Sequence, residues 1–312
     1  MGFRQASVPF IQPETNLKGK TVIVTGANTG LGFEASRQFL ILGANRVILA
    51  VRSVSKGEAA RQKLLNDMTI KKNNQCAEIN VMQLDLSHYK SVVNFAADVK
   101  KELEALHIVL LNGGVNLMNW KETVDGHEMT LQVNYLSNAL LAIELLPLLE
   151  QTAVEAKAPT RLSWVSSQAH TFHSFGKNPL LSDESVLHRF DDKTQYKSFR
   201  RYSDSKLLVS MFVQELAKHI PQDKVVINHM CPGMVSTSLD ANIPQYLKPI
   251  VSIVKKLRPD THGAFIVDNK IVPIAPITQT DSGKEMQQKL WDETLEELIA
   301  ADKALVDVLA QY

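Results

Sequence analysis

Short runs of β-branched and aliphatic residues alternate along this chain with longer helical patterns, the signature of parallel strands joined by crossover helices. Seven such runs stand out: Thr21–Thr25, Arg46–Val51, Ile79–Leu84, Ile108–Leu111, Arg161–Val165, Lys224–Met230 and Ala264–Val267. Helical patterns fall between them at about 31–42, 55–67, 88–105, 127–149, 201–219 and 246–256. The expected fold is α/β, with a doubly wound parallel seven-stranded sheet and helices on both faces. Beyond the last run, Met286, Leu290, Leu298 and Leu305 recur at helical spacing within 281–309, which predicts a C-terminal helix or helix pair covering the core. A single domain is expected, with a tail over 1–18, the sheet domain over 19–280 and a helical extension over 281–312 packed on it.

Charge narrows the partners. Thirty-four basic residues against 33 acidic give a net charge of +1, so no global field draws nucleic acid or an anionic membrane, and a small-molecule partner fits better. The two cysteines, Cys76 and Cys231, are far apart and in no paired spacing, which argues against a disulfide framework or a cysteine metal site and for a reducing compartment. Cytoplasm is the expected location. The start, MGFRQASVPF, has neither the pattern of a secretory leader nor a good acylation signal. The most apolar stretch, Tyr135 to Leu149, is interrupted by Asn138, Glu144 and Pro147 and falls short of the ~20 residues that cross a bilayer, so no integral membrane segment is expected.

The first run ends in Thr25-Gly26-Ala27-Asn28-Thr29-Gly30-Leu31-Gly32, and a helical pattern follows at once. Glycines at a strand-to-helix turn let the backbone approach a pyrophosphate, whose charge then sits on the N–H groups at the positive end of the helix dipole. Three of them in this context favour a nucleotide site over an ordinary tight turn. The second run ends Ala50-Val51-Arg52-Ser53. An acid at this place would accept hydrogen bonds from the adenosine ribose and repel a 2′-phosphate. Here Val51 replaces it and Arg52 follows, a fork of donors suited to phosphate, with Ser53 and Lys56 close enough in sequence to assist. NADP(H) is therefore the expected cofactor.

The spacing TGxxxGxG resembles that of the short-chain dehydrogenase/reductase family in its compact branch, whose fold is the Rossmann sheet, and the resemblance runs through nearly the whole chain. It implies cofactor contacts from Gly26, Asn28, Thr29, Gly30, Leu31 and Gly32, from Asp85 and Leu86 in LDLS, and from Asn112 and Gly113 in LNGGV. That last turn departs from the family's NNAG, with Leu111 and Gly113 in place of Asn and Ala; a glycine there still permits close approach. Pro232, Gly233, Val235 and Thr237, in CPGMVST, resemble the family's PG turn, which meets the carboxamide or pyrophosphate.

Tyr202 and Lys206 stand at i and i+4 on one face of a predicted helix and can share a site. An ammonium beside a phenol favours the phenolate and brings a weak acid nearer to working pH. The resemblance implies that this pair, with Ser167 and Asn134, forms a catalytic tetrad. Tyrosine would exchange a proton with a carbonyl or alcohol oxygen, serine would bond that oxygen, asparagine would support a water, and lysine would hold the nicotinamide ribose. The expected function is hydride transfer between NADP(H) and a carbonyl or alcohol of a mostly apolar small molecule, secondary metabolites among them. The alternatives are a redox-inactive NADPH-binding sensor or scaffold on the same fold, and an epimerase or dehydratase reusing the tyrosine.

The family usually leaves about a dozen residues between serine and tyrosine; here 168–201 intervene. SSQAH followed by a long insertion is similar to the retinol-dehydrogenase-like and WW-oxidoreductase-like members, and Ser282-Gly283-Lys284 to Trp291 resembles the SGKxxxxxLW of fungal reductases in that group. Long loops in compact domains are commonly lids. Gln168, His170, Phe172, His173 and Phe175 are thus the candidate substrate residues, and the roof of the pocket is expected from 168–201 rather than from the short segment 238–262. His170 and His173 lack a cysteine or acid at ligand spacing, so no metal is expected. A homo-oligomer is compatible with all of this.

Overall fold

The computed structural model describes residues 15–233 and 259–312. Its core is one eight-stranded sheet in the order β3-β2-β1-β4-β5-β6-β7-β8, with β1 Thr21–Thr25, β2 Arg46–Val51, β3 Glu78–Gln83, β4 Ile108–Leu111, β5 Thr160–Val165, β6 Val225–Cys231, β7 Phe265–Val267 and β8 Lys270–Val272. The first seven strands are parallel; the eighth pairs antiparallel with β7. The expected count of seven is corrected by that edge strand. Asp268 and Asn269, both at positive φ, make the two-residue turn whose twist suits a hairpin. The sheet order reverses between β1 and β4, and this is where the carboxyl ends of strands in an open sheet leave a crevice.

On one face lie α1 (Gly30–Ile41), α2 (Val54–Leu65) and the short α3 (Met68–Asn73), the last not anticipated from the sequence. Their apolar stripes close over Val22, Val24, Val47 and Leu49. On the other face are α4 (Tyr89–Glu102), the three-residue α5 (Met129–Leu131), a π-helical turn Gln132–Leu136, α6 (Ser137–Ala156), α7 (Val186–Asp191) and α8 (Ser198–His219). The single helix expected over 127–149 is thus three pieces and runs on to Ala156, where Lys157 at φ 49° caps it. The expected helix at 246–256 lies outside the described residues. No described helix is long and apolar enough to cross a membrane.

Residues 281–309 form two helices, α9 (Asp281–Ala301) and α10 (Leu305–Leu309), and Met286, Leu290, Leu298 and Leu305 join the same core as α4, α6 and α8. At the chain start, buried Leu17 donates its N–H to the Leu42 carbonyl at 2.9 Å, so packing begins before residue 19.

Polar clasps tie α9 to the rest. Tyr135 shares a 2.7 Å hydrogen bond with Thr294, and Glu293 accepts from Ser185, Val186 and Leu187 at the start of α7. His127 bridges Asp191 through Nδ1 and Glu297 through Nε2, each at 2.8 Å. Burial opposes the imidazolium, but the hydrogen bonds and charges of the two carboxylates outweigh it and hold His127 up at about 9, against an ordinary 6.5. Below pH 6.5 the folded and unfolded chains both carry this charge, and the stabilisation is complete. As pH rises from there the unfolded chain releases its proton while the folded one keeps it, so the contribution drains away by about pH 9. Denaturant titrations should show a loss on the order of 1–3 kcal/mol across that window, flattened in His127→Gln. An identical slope in the variant would disprove the clasp.

Candidate active site

The carboxyl ends of β1, β4, β5 and β6 meet the amino end of α8 at one place. Gly26 and Gly30 lie in the left-handed region, at φ 66° and 56°, and turn the chain from β1 into α1. A Cβ on Gly32 would fall 2.5 Å from the Gly26 carbonyl oxygen and 2.6 Å from Asn112 Nδ2, so this position tolerates no side chain. The loop is stitched to the turn after β4. Thr25 Oγ1 accepts from the N–H of Asn112 at 2.9 Å and of Gly113 at 2.7 Å, and Asn112 Nδ2 donates to the Thr25 carbonyl at 2.9 Å. Asn112 thereby acts on the loop rather than outward. A Cβ on Gly113 would lie 2.6 Å from Leu86 Cδ1, so an alanine there would require the Leu86 side chain to shift.

Thr29, the N-cap of α1, makes no side-chain cap, and the first turn carries no acid. Around Gly30 a Cβ would meet nothing within 4 Å. This is an open cradle of helix N-terminal N–H groups with no carboxylate against it, which fits a pyrophosphate. At the end of β2, Arg52 and Lys56 are exposed, and Ser53 caps α2 by accepting from the Lys56 N–H. Asp85 takes both the N–H and the hydroxyl of Ser87 on Oδ1, at 2.9 and 2.7 Å. Pro232 and Gly233 follow β6, Gly233 at φ 82°. Val235 and Thr237 lie outside the described residues.

The structure brings the four tetrad candidates together. Asn134 sits in the π turn, where the extra residue swings its amide toward the exit of β4. Its Oδ1 accepts from the Val115 N–H at 2.7 Å, and its Nδ2 donates to the Val115 carbonyl at 2.9 Å and to Ser205 Oγ at 3.1 Å, joining that exit to α8. Lys206 is buried and donates from Nζ to the Val165 carbonyl at 3.0 Å. A Cβ on Gly114 would lie 3.1 Å from Asn134 Oδ1 and 3.8 Å from Lys206 Nζ, so both atoms border the small space this glycine leaves. Tyr202 is half-buried, with Lys206 Nζ 5.7 Å from its ring centre and its hydroxyl close to the Ser167 side chain.

The titration of this pair differs from expectation. Burial raises the Tyr202 phenol above its ordinary value and the Ser167 hydrogen bond offsets only part of that. Burial also pushes Lys206 down to about 8. The ammonium turns to the Val165 carbonyl instead of the phenol oxygen, so desolvation wins. Tyr202 is thus a protonated phenol at neutral pH, poised to donate.

The candidate substrate residues divide. Gln168 and Phe172 are exposed, Phe172 at 58%. His170 is fully buried, its Nδ1 2.6 Å from the Ser167 carbonyl and its ring edge-on to Phe265. Phe175 is buried in the core under α8, and the half-buried His173 ring tilts against it. Ser174 fixes this turn to α8 by donating its N–H and hydroxyl to Asp204 at 2.6 and 2.8 Å. His170 and Phe175 therefore build the shoulder that carries Ser167 rather than facing outward. Cys231 was passed over in the sequence: it is buried at the end of β6, near Tyr202 and Lys206. Its place was readable, since the alternation of β6 puts residues 225, 227, 229 and 231 on the α8 face. Among the described residues no cluster of His, Cys, Asp or Glu is arranged for a metal.

The chain is similar to known proteins over most of its length. The family model described as short chain dehydrogenase matches residues 20–175 and 192–247. The short-chain dehydrogenase/reductase TropG of Talaromyces stipitatus is 40% identical, the match covering 93% of this chain and 96% of that protein. A solved Mycobacterium paratuberculosis protein of uncharacterised function superposes with a TM-score of 0.66 at 24% identity, over 91% of this chain and 94% of the other. NADPH-bound carbonyl reductase from chicken fatty liver does so with a TM-score of 0.59 at 21% identity, over 82% and 99%.

Proposed function

The chain belongs to the short-chain dehydrogenase family, an oxidoreductase lineage acting on alcohol and carbonyl groups, and from that premise we propose that it is an NADP(H)-dependent reductase of a mostly apolar small-molecule ketone. The observation that carries the reading is the contact of a protonated, half-buried Tyr202 with Ser167, beside a buried Lys206 and under the open glycine cradle. When bound, the nicotinamide supplies or accepts the hydride. Everything else is work for this chain's side chains.

Ser167 and Tyr202 offer two hydroxyl donors to one carbonyl oxygen, polarising it as negative charge develops there. Tyr202 then gives up its proton. Lys206, low enough to exchange protons near neutrality, has its Nζ 5.7 Å from the Tyr202 ring centre and is the group to restore the phenolate's proton. Asn134 keeps the exit of β4 and the helix of Tyr202 in register. Gly26, Asn28, Thr29, Gly30, Leu31 and Gly32 would hold the pyrophosphate, Asp85 and Leu86 the adenine, and Arg52 with Ser53 and Lys56 the 2′-phosphate. A carbonyl reductase of the same fold binds NADPH, which accords with that preference. Gln168 and Phe172, both exposed in the 168–172 turn, would meet substrate. A cytoplasmic site of action fits the two unpaired cysteines.

The test is nucleotide consumption against a panel of apolar ketones. Turnover of one or more with alcohol formed in equal amount is expected; tight NADPH binding with no turnover would favour the sensor reading.

A further inference from the structure

A second cavity, of about 460 Å³, lies beside the start of α8, and its lining includes neither Ser167 nor Tyr202. Five cationic side chains face it, Lys177, Arg189, Lys197, Arg200 and Arg201, against one carboxylate, Asp204. Several of these charges are already committed. Arg189 gives its donors to Glu184 and to the Asn178 and Pro179 carbonyls, and Asp204 is taken up by Ser174. Arg200 spends one Nη1 donor on the Phe172 carbonyl at 2.6 Å.

Arg201 is different. Its side chain is only 5% exposed, its guanidinium lies 4.5 Å over the Phe190 ring, and its buried Nε has no hydrogen-bond acceptor. The carboxylate of Glu128 comes no closer to it than 4.0 Å. A guanidinium N–H left unfilled at such depth costs free energy that a fitting acceptor would recover. The 22-residue α8 begins at the same cavity. Its N-cap Lys197 makes no side-chain cap, and no acid stands in its first turn, so the positive end of the helix dipole is unopposed there.

We propose that this cavity is an accessory binding site for a small organic anion, a carboxylate or phosphate monoester with an apolar body. Arg201 supplies a buried guanidinium and Arg200 a half-buried one, Lys177 and Lys197 close the mouth, and the edges of Phe175 and Phe190 with the arginine stems form the apolar part of the wall. The inference stands apart from the catalytic reading, because it needs neither cofactor nor turnover.

Calorimetric titration of the full chain with benzoate and with phenyl phosphate tests it, with inorganic phosphate as a third arm. Saturable binding of either aryl anion is expected, at one site, weakened at least tenfold when the exposed Lys177 and Lys197 are both replaced by Glu, and unchanged in Arg52→Ala. The milder pair Lys177→Ala with Lys197→Ala should weaken it in the same direction, which guards against a folding defect in the charge-reversed protein. Three results would overturn the proposal: no binding of either aryl anion, binding undiminished in both lysine pairs, or binding lost in Arg52→Ala, which would put the anion at the nucleotide loop. Inorganic phosphate binding as tightly as phenyl phosphate would refute the organic class.

Discussion

Replacing Tyr202 by phenylalanine should cut turnover by about 10²–10⁴-fold, the usual contribution of a positioned proton donor, while NADPH affinity stays near that of the parent. The ring is half-buried at the amino end of α8, and phenylalanine fills the same space. What disappears is the hydroxyl that meets Ser167. Lys206 keeps its 3.0 Å bond to the Val165 carbonyl, so the neighbouring cation has no reason to move. Lys206→Ala is a different matter: it empties a buried site and should damage both nucleotide binding and turnover. Near-parental turnover in Tyr202→Phe on the best ketone would end the proton-transfer assignment.

Replacing Arg52 by alanine should weaken NADPH binding by roughly 1.5–3 kcal/mol, about 10–150-fold, with NADH little affected. Arg52 is exposed one residue beyond β2, directly after Val51, which stands where a carboxylate would select NADH, and its charge-assisted contact to a 2′-phosphate is the discriminating interaction. Exposure to water favours the lower half of that range. Paired affinity measurements of the two nucleotides on both proteins give the answer. Equal affinities in the parent would refute the NADP(H) assignment.

How far the sequence could be read depended on which interactions left a local trace. The parallel strands did, because a strand buried on both faces is a continuous β-branched run, and their observed bounds differ from the expected ones by a residue or so. β8 did not, since three residues are too few for periodicity; the Asp268-Asn269 turn was its one signal. The π turn at Gln132–Leu136 was invisible for another reason. One extra residue in a helix buried on every side leaves no break in the pattern, yet it falls at the turn that carries Asn134.

In the site, Tyr202, Lys206 and Ser167 were legible as a motif, but the direction of the Tyr202 titration was not. It turns on the burial of Tyr202, which the Lys206 ammonium, bonded to the Val165 carbonyl 41 positions away, does not offset. His170 and Phe175 show the same limit. Closeness to Ser167 in sequence suggested a pocket, whereas the 3₁₀ turn at Gln168–Phe172 folds His170 inward and leaves Phe172 out. The cation-lined cavity beside α8 combines 174–178 with 189–204 and had no local signal at all.

The most direct test of the central claim follows the hydride itself. NADPH carrying deuterium at the transferable position of the nicotinamide, incubated with the parent protein and a ketone that it turns over, should yield alcohol with deuterium on the carbinol carbon and unlabelled oxidised nucleotide. The same mixture with Tyr202→Phe should give almost none. Alcohol formed without deuterium from stereochemically matched label, or deuterium returned to the nucleotide while the substrate is isomerised, would contradict reduction by this site.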